Sequence, residues 1–417
     1  MNITNKIKAQ LRLCLMLFIP FLVGCKLEPT TTDINTGTLL EAEDYKFAVD
    51  SVLKSKQGIT IPKDGVAEYL ISIPITGRYT IDVVGSSDSG SIWIEDYIFN
   101  QDDRTYNITG NISMANSKKS DISTVDGSPM AKGEHSIRIH VVNDDVFIDK
   151  LTFKPLLIHD SVTTVLKQEM SGNEWSLVWS DEFDQGSVPD STKWSYNLGN
   201  WGWGNNELQY YTNQPENARI ENGQLIIKAI KNNHNEKWTS ARLTTQGQVA
   251  LQYGKIEFRA KVPYGRGTWS AGWLLGESYQ DELSWPYCGE IDILECVGYE
   301  INDTTKNGLN HATCHTRAYY FKQGNQIGSD TTLEDMTNTF HTYSVEWYPD
   351  VIYGLVDGVR YYTYDKNTNE LEWPFNNPQN IILNLAIGGG WGGAKGIDPQ
   401  FNEHEFIIDY VRVYQKK

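Results

Sequence analysis

The sequence predicts an all-β protein made of two sandwiches, a smaller one followed by a larger one of the jelly-roll type. Apolar and polar side chains alternate along many short runs that are rich in Val, Ile, Tyr and Thr, as in strands with one buried face. Turns containing Gly, Asp or Asn separate these runs. No helical periodicity extends beyond a few turns, so we do not expect a helical layer.

Residues 1–24 are typical of a secretory signal peptide. Three basic residues precede an apolar run, Leu13–Val23, that is too short to span a bilayer. The segment ends before Cys25 and resembles a bacterial lipobox, in which cleavage exposes a cysteine that becomes lipidated. We therefore expect a lipid anchor on Cys25 and a lipoprotein of the cell envelope, held at the outer membrane and exposed at its surface.

Residues 25–37 are polar and rich in Thr, and we expect them to tether the anchor to the first domain. A first module follows over 38–155. Its short alternating runs, separated by Gly- or Asp-containing turns, predict a small β-sandwich. The predicted strands of this module are 67–73, 78–84, 91–94, 136–141 and 146–149.

Parts of this first module resemble family 6 and related carbohydrate-binding modules. The segments that carry the resemblance are 40–43, 75–79 and 147–153. The resemblance implies a structural calcium ion bound by Glu41, Glu43 and Asp149. Carboxylate oxygens suit such a hard cation.

Sugar binding by the first module is a separate question. Residues 98–130 lack the aromatic turn that the resemblance would require, and Trp93 is the only tryptophan before residue 175. Sugar rings usually pack against exposed aromatic side chains, whose faces are apolar. The sequence therefore leaves open whether the module binds sugar or acts as a spacer.

A polar linker is expected at 156–173, and the second domain follows over 174–417. Twelve of the 13 tryptophans lie in this domain. About 240 residues of short strands, with no internal repeat, predict one large jelly roll. The predicted strands of this domain are 225–229, 255–262, 290–295, 342–347, 352–357, 381–387 and 406–413.

The chain is acidic, with 36 Lys and Arg against 53 Asp and Glu and a formal charge of −17. Cleavage of the leader would remove three positive charges and leave −20. Nucleic acid needs a basic footprint on its protein partner, so it is excluded as a partner here. The same negative charge argues against sulfated polysaccharides.

Outside the leader and the anchor position, the cysteines are Cys288, Cys296 and Cys314. An odd number permits at most one intramolecular disulfide. Cys288 and Cys296 bracket a single predicted strand and are too far apart to bond, so a disulfide would need Cys314. Buried free thiols are the simpler expectation, and no spacing of Cys and His indicates a metal site.

The run Glu290–Glu295 places three carboxylates in a strand that is otherwise apolar and β-branched. Strict alternation puts Glu290 and Asp292 on one face but turns Glu295 toward the apolar face. A buried unpaired carboxylate is costly, so we predict a β-bulge at about 293–294 that returns Glu295 to the acidic face. These residues alone are compatible with a solvent-exposed acidic face or an active site. Paired carboxylates near aromatic residues favour glycoside hydrolysis.

The same run matches the E-x-D-x-x-E signature of glycoside hydrolase family 16 in its bulged form. The resemblance extends over residues 174–415 and implies a concanavalin-like jelly roll. Further matching segments are 179–183, 206–212, 239–243, 253–257, 267–276, 384–393 and 409–414. Within the family, the segments 206–212 and 388–393 are most similar to laminarinases.

The resemblance implies that Glu290 is the nucleophile, Asp292 its helper and Glu295 the general acid/base. The reaction would be a double displacement through a glycosyl-enzyme, with retention of configuration at the anomeric carbon. One carboxyl group must hold a proton near neutral pH, and the proximity of three carboxylates favours this. No cofactor is expected for catalysis.

Candidate substrate-binding residues come from the same resemblance. Trp269 and Trp273 would share one face of a strand and line the cleft, with core packing as the alternative. His315 is expected beside the acid/base, with a buried core histidine as the alternative. Arg242 is expected at the substrate, with a structural ion pair as the alternative. The remaining candidates are Asn206, Glu207, Trp285 and Trp347.

The resemblance also implies a structural calcium site on the convex side of the jelly roll, far from the catalytic strand. Glu182 and Asp409 match its ligand positions. Surface carboxylates without a metal are the alternative.

The expected activity is endo-hydrolysis of β-1,3-glucan of the laminarin type. Alternatives within the family are a mixed-linkage β-1,3-1,4-glucanase and a galactan hydrolase of the agarase or carrageenase type. A non-catalytic β-glucan-binding protein is the alternative from another class, although such relatives usually lack the catalytic carboxylates. We expect a monomer whose polysaccharide partner is a β-glucan and which contacts membranes only through the lipid anchor.

Overall fold

The computed structural model describes residues 37–49, 51–97, 105–116, 118–158, 163–168, 170–231, 237–366 and 369–417. The leader, the predicted lipidation site Cys25 and almost all of the tether lie outside the described residues. Within these ranges, no helix is long and apolar enough to cross a membrane. Helical structure in the same ranges is limited to short 3₁₀ turns at Ala42–Asp44, Gly298–Glu300 and Phe321–Gln323. The predicted all-β class is confirmed.

The first module is a sandwich of two six-stranded sheets. Its strands are β1 (Thr38–Glu41), β2 (Phe47–Val49), β3 (Leu53–Ser55), β4 (Gly58–Ile61), β5 (Val66–Ile73), β6 (Gly77–Ser86), β7 (Ser91–Tyr97), β8 (Thr105–Asn107), β9 (Ile112–Ser113), β10 (Ile122–Met130), β11 (Gly133–Val142) and β12 (Val146–Ile158). One sheet has the order β10-β6-β12-β4-β3 with β1 on β12, and the other has β2-β5-β11-β7-β8 with β9 on β7. The alternating apolar side chains meet between the sheets, where Ile59, Ile81, Ile94 and Ile139 are buried.

The second domain is a larger sandwich, of one nine-stranded and one ten-stranded sheet. Its first strands are β13 (Thr164–Lys167), β14 (Trp175–Asp181), β15 (Ser195–Tyr196), β16 (Gln209–Tyr211), β17 (Ala218–Glu221), β18 (Gln224–Lys231), β19 (Trp238–Ser240), β20 (Arg242–Thr244), β21 (Val249–Gln252) and β22 (Gly254–Lys261). The later strands are β23 (Thr268–Gly276), β24 (Glu290–Val297), β25 (Gly308–His315), β26 (Ile327–Leu333), β27 (His341–Trp347), β28 (Val351–Val356), β29 (Val359–Asp365), β30 (Gln379–Ile387) and β31 (Glu403–Lys416).

The predicted carboxylate strand, β24, lies inside the nine-stranded sheet. The order of this sheet is β13-β21-β30-β23-β24-β25-β26, with β20 on β30 and β15 on β20. The ten-stranded sheet has the order β16-β19-β18-β31-β22-β27-β28-β29, with β14 on β31 and β17 on β18. The predicted jelly-roll sandwich is confirmed, and its core lies between these two sheets. Cys288, Cys296 and Cys314 are buried free thiols, as expected.

The junction between the two domains contains more regular structure than the predicted polar linker. Strand β12 continues to Ile158, and β13 pairs in parallel with β21 at the edge of the nine-stranded sheet. Three of the four residues of β13 are exposed. Its strand conformation therefore depends on main-chain pairing, which an apolar pattern in the sequence does not reveal.

The first module packs against the second domain through specific side chains. Arg78 of β6 is 1% exposed, and its guanidinium lies 4.8 Å from the ring centre of Trp201. The hydroxyl of Tyr210 donates a hydrogen bond to Asp126 at 2.5 Å. Leu283 of the second domain is part of the buried core of the first module. These contacts fix the position of the first module next to the site described below.

Candidate active site

Strand β24 contains an extra residue relative to its neighbour β23. Trp273 pairs with Asp292 while the adjacent Gly272 pairs with Leu294, so Ile293 has no partner of its own on β23. The pairing with β25 shifts at the same place. The predicted β-bulge is therefore confirmed, and it restores the third carboxylate of the strand, that of Glu295, to the face of the first two.

The three carboxylates of β24 line one cavity on the face of the nine-stranded sheet. Its walls are aromatic on several sides and include two further carboxylates and one arginine. The lining residues are Trp203, Gly204, Asn205, Glu207, Arg242, Trp269, Ala271, Trp273, Leu275, Tyr279, Glu282, Trp285, Glu290, Asp292, Glu295, Phe321, Lys322 and Asn384. The cavity thus combines charge with apolar ring faces, as a sugar-binding cleft requires.

Two tryptophans donate hydrogen bonds to the outer carboxylates of the strand. The indole N–H of Trp285 donates to Glu290 Oε2 at 2.8 Å. The indole N–H of Trp269 donates to Glu295 Oε1 at 3.2 Å. Each bond orients one carboxylate and stabilises its ionised form.

Asp292 lies between these two carboxylates and is 3% exposed. Burial raises its pKa well above the usual value, and the negative charges of Glu295 and Glu290 raise it further. Both effects favour the protonated form of Asp292, and its hydrogen bond to Glu290 lowers the pKa of Glu290. The helper role predicted for Asp292 has a physical basis here, since a protonated Asp292 stabilises the Glu290 carboxylate.

The pKa values of the two outer carboxyls differ, and the difference has the direction that their expected roles require. Burial raises the pKa of Glu290 to about 7, while the Trp285 hydrogen bond and the charge of Arg242 act to lower it. Burial raises the pKa of Glu295 to about 8, with a further increase from the charge of Glu290. Glu290 is therefore the first to ionise, and Glu295 retains its proton to higher pH.

Arg242 and Glu207 both lie in the cavity, as predicted. The guanidinium of Arg242 lies between two indoles, 4.7 Å from the ring centre of Trp203 and 4.8 Å from that of Trp273. Glu207 is buried, and its side chain accepts hydrogen bonds from Gln209 at 2.7 Å and from two further polar side chains. Arg242 is thus held by aromatic faces at the cleft, which favours the predicted position at the substrate over the structural ion pair considered above.

Trp269, Trp273 and Trp285 also line the cavity, as predicted, whereas Asn206 does not. Asn206 has a left-handed backbone, with φ of 58°, which asparagine tolerates better than most residues. It lines a second groove that adjoins the catalytic cavity.

The register places His315 opposite Glu290 and not opposite Glu295, the residue expected to be the acid/base. His315 pairs with Glu290 across β24 and β25, and its Nε2 lies 3.8 Å from Glu290 Oε1 and 3.5 Å from Asp292 Oδ2. The residue opposite Glu295 is His311 instead. The bulge determines this register, because three residues of β24 span two of β25. Burial lowers the pKa of His315 to about 4, so the ring is neutral near pH 7.

The prediction that Trp347 contacts substrate was wrong. Trp347 ends β27 in the ten-stranded sheet and is 0% exposed. Its indole packs edge-on against Tyr253 and donates a hydrogen bond to the carbonyl of Phe375 at 3.2 Å. The side chain therefore points into the core between the sheets.

Several cavity residues were not predicted from the sequence, notably Glu282, Tyr279 and Asn384. The hydroxyl of Tyr279 donates to Glu282 at 2.9 Å, and the indole N–H of Trp273 donates to Asn384 at 2.8 Å. Glu282 belongs to the connection between β23 and β24, where no periodicity marks it. Asn384 lies within a segment that matches the family, but its position in a fully buried strand concealed its contact with the cleft.

The carboxylates proposed for the calcium site of the second domain have arginine partners. Arg412 donates two hydrogen bonds to Glu182, at 3.0 and 2.8 Å. Arg259 donates one to Asp409 at 2.6 Å. A guanidinium beside each carboxylate opposes the binding of a cation, so this arrangement does not fit a calcium ion.

The calcium ligands expected in the first module are likewise not gathered into one set. Glu41 ends β1, Glu43 lies in the following 3₁₀ turn and Asp149 lies at a bulge of β12. Among the residues that the structure describes, the one group of three potential ligands with atoms within 4.8 Å of each other lies in the catalytic cavity. Calcium binding by the first module stays a prediction.

Comparison with known proteins shows what the second domain is similar to. Residues 201–412 match the model of the glycosyl hydrolases family 16. The beta-glucanase of Rhodothermus marinus is 43% identical over 250 residues, which cover 58% of this chain and 85% of that protein. The solved laminarinase from Rhodothermus marinus superimposes with a TM-score of 0.54 at 43% identity, covering 58% of this chain and 98% of that chain. SCLam, a non-specific endo-beta-1,3(4)-glucanase from family GH16, superimposes with a TM-score of 0.54 at 40% identity, covering 62% of this chain and 99% of that chain.

The matched region contains the bulged carboxylate strand and strands of both sheets around it. It spans half of the chain and contains all the residues that line the cavity described above. The chain therefore belongs to glycosyl hydrolase family 16.

Proposed function

We propose that this glycoside hydrolase cleaves internal bonds of β-1,3-glucan with retention of configuration. The observation that carries the proposal is the cavity in which Glu290, Asp292 and Glu295 share one face between tryptophan rings. The likeness to a beta-glucanase and to a laminarinase supports β-glucan as the substrate class. The surplus of acidic residues in the chain, 53 against 36 basic ones, favours an uncharged polysaccharide over a sulfated one.

The first step of the proposed reaction forms a glycosyl-enzyme. Glu295 donates its proton to the glycosidic oxygen while a carboxylate oxygen of Glu290 attacks the anomeric carbon. The bond between that carbon and the glycosidic oxygen breaks, and the leaving sugar departs with a new hydroxyl group. Asp292 donates its hydrogen bond to Glu290 and so keeps Glu290 ionised for the attack.

In the second step the same two carboxyls exchange tasks. Glu295, now ionised, removes a proton from a water molecule that attacks the anomeric carbon from the opposite side. The bond to Glu290 breaks, Glu290 returns to its carboxylate form and Glu295 is protonated again. Two inversions at one carbon give net retention.

A side-by-side assay tests the substrate. We expect reducing ends to be released from laminarin faster than from lichenan, and no release from agarose or carrageenan. Mixed-linkage β-1,3-1,4-glucan is the second candidate, because SCLam is described as acting on both linkage types. If agarose is cut while laminarin remains intact, the proposed function is wrong.

The pKa values predict a bell-shaped dependence of kcat/KM on pH. Activity needs Glu290 ionised and Glu295 protonated, so it rises as the pH increases through about 7 and falls as the pH increases through about 8. Trp285→Phe removes the N–H bound to Glu290, which raises the pKa of Glu290. We expect the acid limb to move up by about one pH unit, equivalent to about 1.4 kcal/mol.

Trp269→Phe is the matched variant for the alkaline limb. It removes the N–H bound to Glu295 and raises the pKa of that carboxyl, so the alkaline limb should move up instead. Both profiles are measured as initial rates from pH 4 to 10 on the same glucan. If both variants move the same limb, the assignment of the two carboxyls is wrong.

A further inference from the structure

A second groove lies between the two domains and adjoins the catalytic cavity. The first module contributes Trp93, Tyr106, Asn107, Gly110 and Asn111 to its walls. The second domain contributes Asn200, Trp201, Gly202, Gly204, Asn206, Glu207, Leu208 and Lys322. Gly204, Glu207 and Lys322 also line the catalytic cavity, so the two spaces share part of their lining.

The walls of this groove are held together by contacts between the domains. The hydroxyl of Tyr106 donates a hydrogen bond to the carbonyl of Trp285, the residue whose indole binds the nucleophile. The main-chain N–H of Ala131 donates to Asp281 at 3.2 Å. Lys322 lies over the ring of Tyr106, 4.1 Å from its centre. The first module therefore reaches the catalytic cleft at Trp285, the residue whose indole binds Glu290.

Trp93 provides an aromatic surface inside the groove. It pairs with His140 across β7 and β11, and the two rings stack at 3.8 Å with 4° between their planes. His140 Nε2 lies 2.7 Å from Glu95, which fixes the imidazole behind the indole. Trp93 is half-buried and lines the groove, so a rigid indole surface is available there.

The polar lining of the groove suits a neutral sugar chain. Asn111, Asn200 and Asn206 contribute amide side chains, which can both donate and accept hydrogen bonds. A fourth amide, that of Asn107, already accepts hydrogen bonds from the main-chain N–H groups of Thr109 and Gly110 through its oxygen. Sugar hydroxyls also both donate and accept hydrogen bonds, while the C–H faces of a pyranose pack against an indole. Ring stacking with amide hydrogen bonds is the chemistry by which a pyranose is recognised.

We propose that this inter-domain groove is a distal binding site for the same glucan chain that is cleaved in the catalytic cavity. Trp93 would stack on a sugar unit of the chain, and the amides would bind its hydroxyls. The proposal rests on the proposed function and assigns the first module a role in substrate length selection. On this proposal the first module binds sugar jointly with the second domain and is more than a spacer.

The test compares short and long substrates of one linkage. We measure kcat/KM of the full chain on a β-1,3-glucan trisaccharide and on an oligosaccharide of ten units, for wild type and for Trp93→Ala. We expect the ratio of long over short to fall about tenfold, equivalent to about 1.4 kcal/mol. Asn111→Ala, at an exposed position, should lower the same ratio severalfold, and Trp93→Phe should preserve most of it.

Phe47→Ala is the matched control, because Phe47 is an exposed aromatic residue of the first module outside the groove. The ratio of kcat/KM on the long substrate to kcat/KM on the short one should be the same for Phe47→Ala as for wild type. The proposal is overturned if Trp93→Ala and Asn111→Ala leave the ratio unchanged, or if they lower activity on both lengths equally.

A calorimetric titration separates this proposal from the proposed function. The ten-unit oligosaccharide is titrated into the Glu290→Gln chain with and without Trp93→Ala. Weaker binding caused by Trp93→Ala supports the distal site even if wild type cleaves a different β-glucan. Equal binding by both chains overturns it, whatever the hydrolysis assay shows.

Discussion

Glu290→Gln is expected to abolish hydrolysis, lowering kcat by roughly 10⁴-fold or more, as removal of a nucleophile commonly does. Gln is similar in size but cannot attack the anomeric carbon or leave from it as a carboxylate. Glu295→Gln should lower kcat on polysaccharide by about 10²–10⁴-fold, the usual contribution of a general acid/base. Release of reducing ends from laminarin measures both effects.

A substrate with an activated leaving group distinguishes the two carboxyls. An aryl glycoside of the glucan leaves as a stable phenolate and needs no proton from Glu295. The loss caused by Glu295→Gln should therefore be much smaller on it for the first step, seen as a burst of phenolate. Glu290→Gln should remain inactive on both substrates. If Glu290→Gln produced the burst and Glu295→Gln did not, the two roles would be reversed.

The stability of these variants is a further check. Burial raises the pKa of all three carboxyls of β24, so the folded protein keeps acidic groups in a place that disfavours their charge. Replacing one of them by an amide should leave the free energy of unfolding unchanged or increase it, as expected where activity is maintained at a cost in stability. Glu257→Gln on β22 is the control carboxylate, with its Lys255 partner on the ten-stranded sheet, and should retain full activity.

Alternation along the chain predicted part of the strands, β24 among them, and the bulge, whereas β13 has no such pattern. The period of two placed Glu290 and Asp292 together, and the mismatch at Glu295 required one extra residue, which the structure contains at Ile293. The cost of a buried unpaired carboxylate made this prediction possible from six residues. The expectation for His315 came from the resemblance and not from alternation, and the residue that faces each position of β24 across β25 depends on how the bulge is absorbed.

The alternation of residues in β27 also indicated the direction of the Trp347 side chain, which the resemblance did not. In β27, Tyr343, Val345 and Trp347 are two residues apart, and all three are buried. This pattern indicates an inward-facing Trp347, whereas similarity to a family position carries no information on which face the side chain takes.

The contact between the domains could not be predicted from the sequence. Arg78 follows a turn signal in a short strand, and a charged residue is normally expected at the surface. Its burial depends on Trp201, which lies more than one hundred residues later in the chain. The inter-domain groove depends on the same long-range packing, since many of its walls come from loops whose conformations have no periodic pattern.

Trp347→Ala is expected to affect mainly stability, and Trp273→Ala mainly activity. Trp347 is fully buried, so its truncation should lower the free energy of unfolding by about 3–5 kcal/mol. The protein that remains folded should keep kcat/KM within about threefold of wild type, because the side chain lies in the ten-stranded sheet and faces the core. Urea unfolding and rates corrected for the folded fraction measure the two quantities.

Trp273→Ala removes a half-buried indole that contacts Arg242 in the cleft and donates a hydrogen bond to Asn384. We expect kcat/KM to fall by about 10²-fold, equivalent to about 2.8 kcal/mol, with a smaller loss of stability than for Trp347→Ala. Where Trp347→Ala does not fold, Trp347→Phe takes its place, with a smaller decrease in the free energy of unfolding and unchanged activity. A Trp347 variant of native stability with strongly reduced kcat/KM would contradict the placement of this side chain in the core.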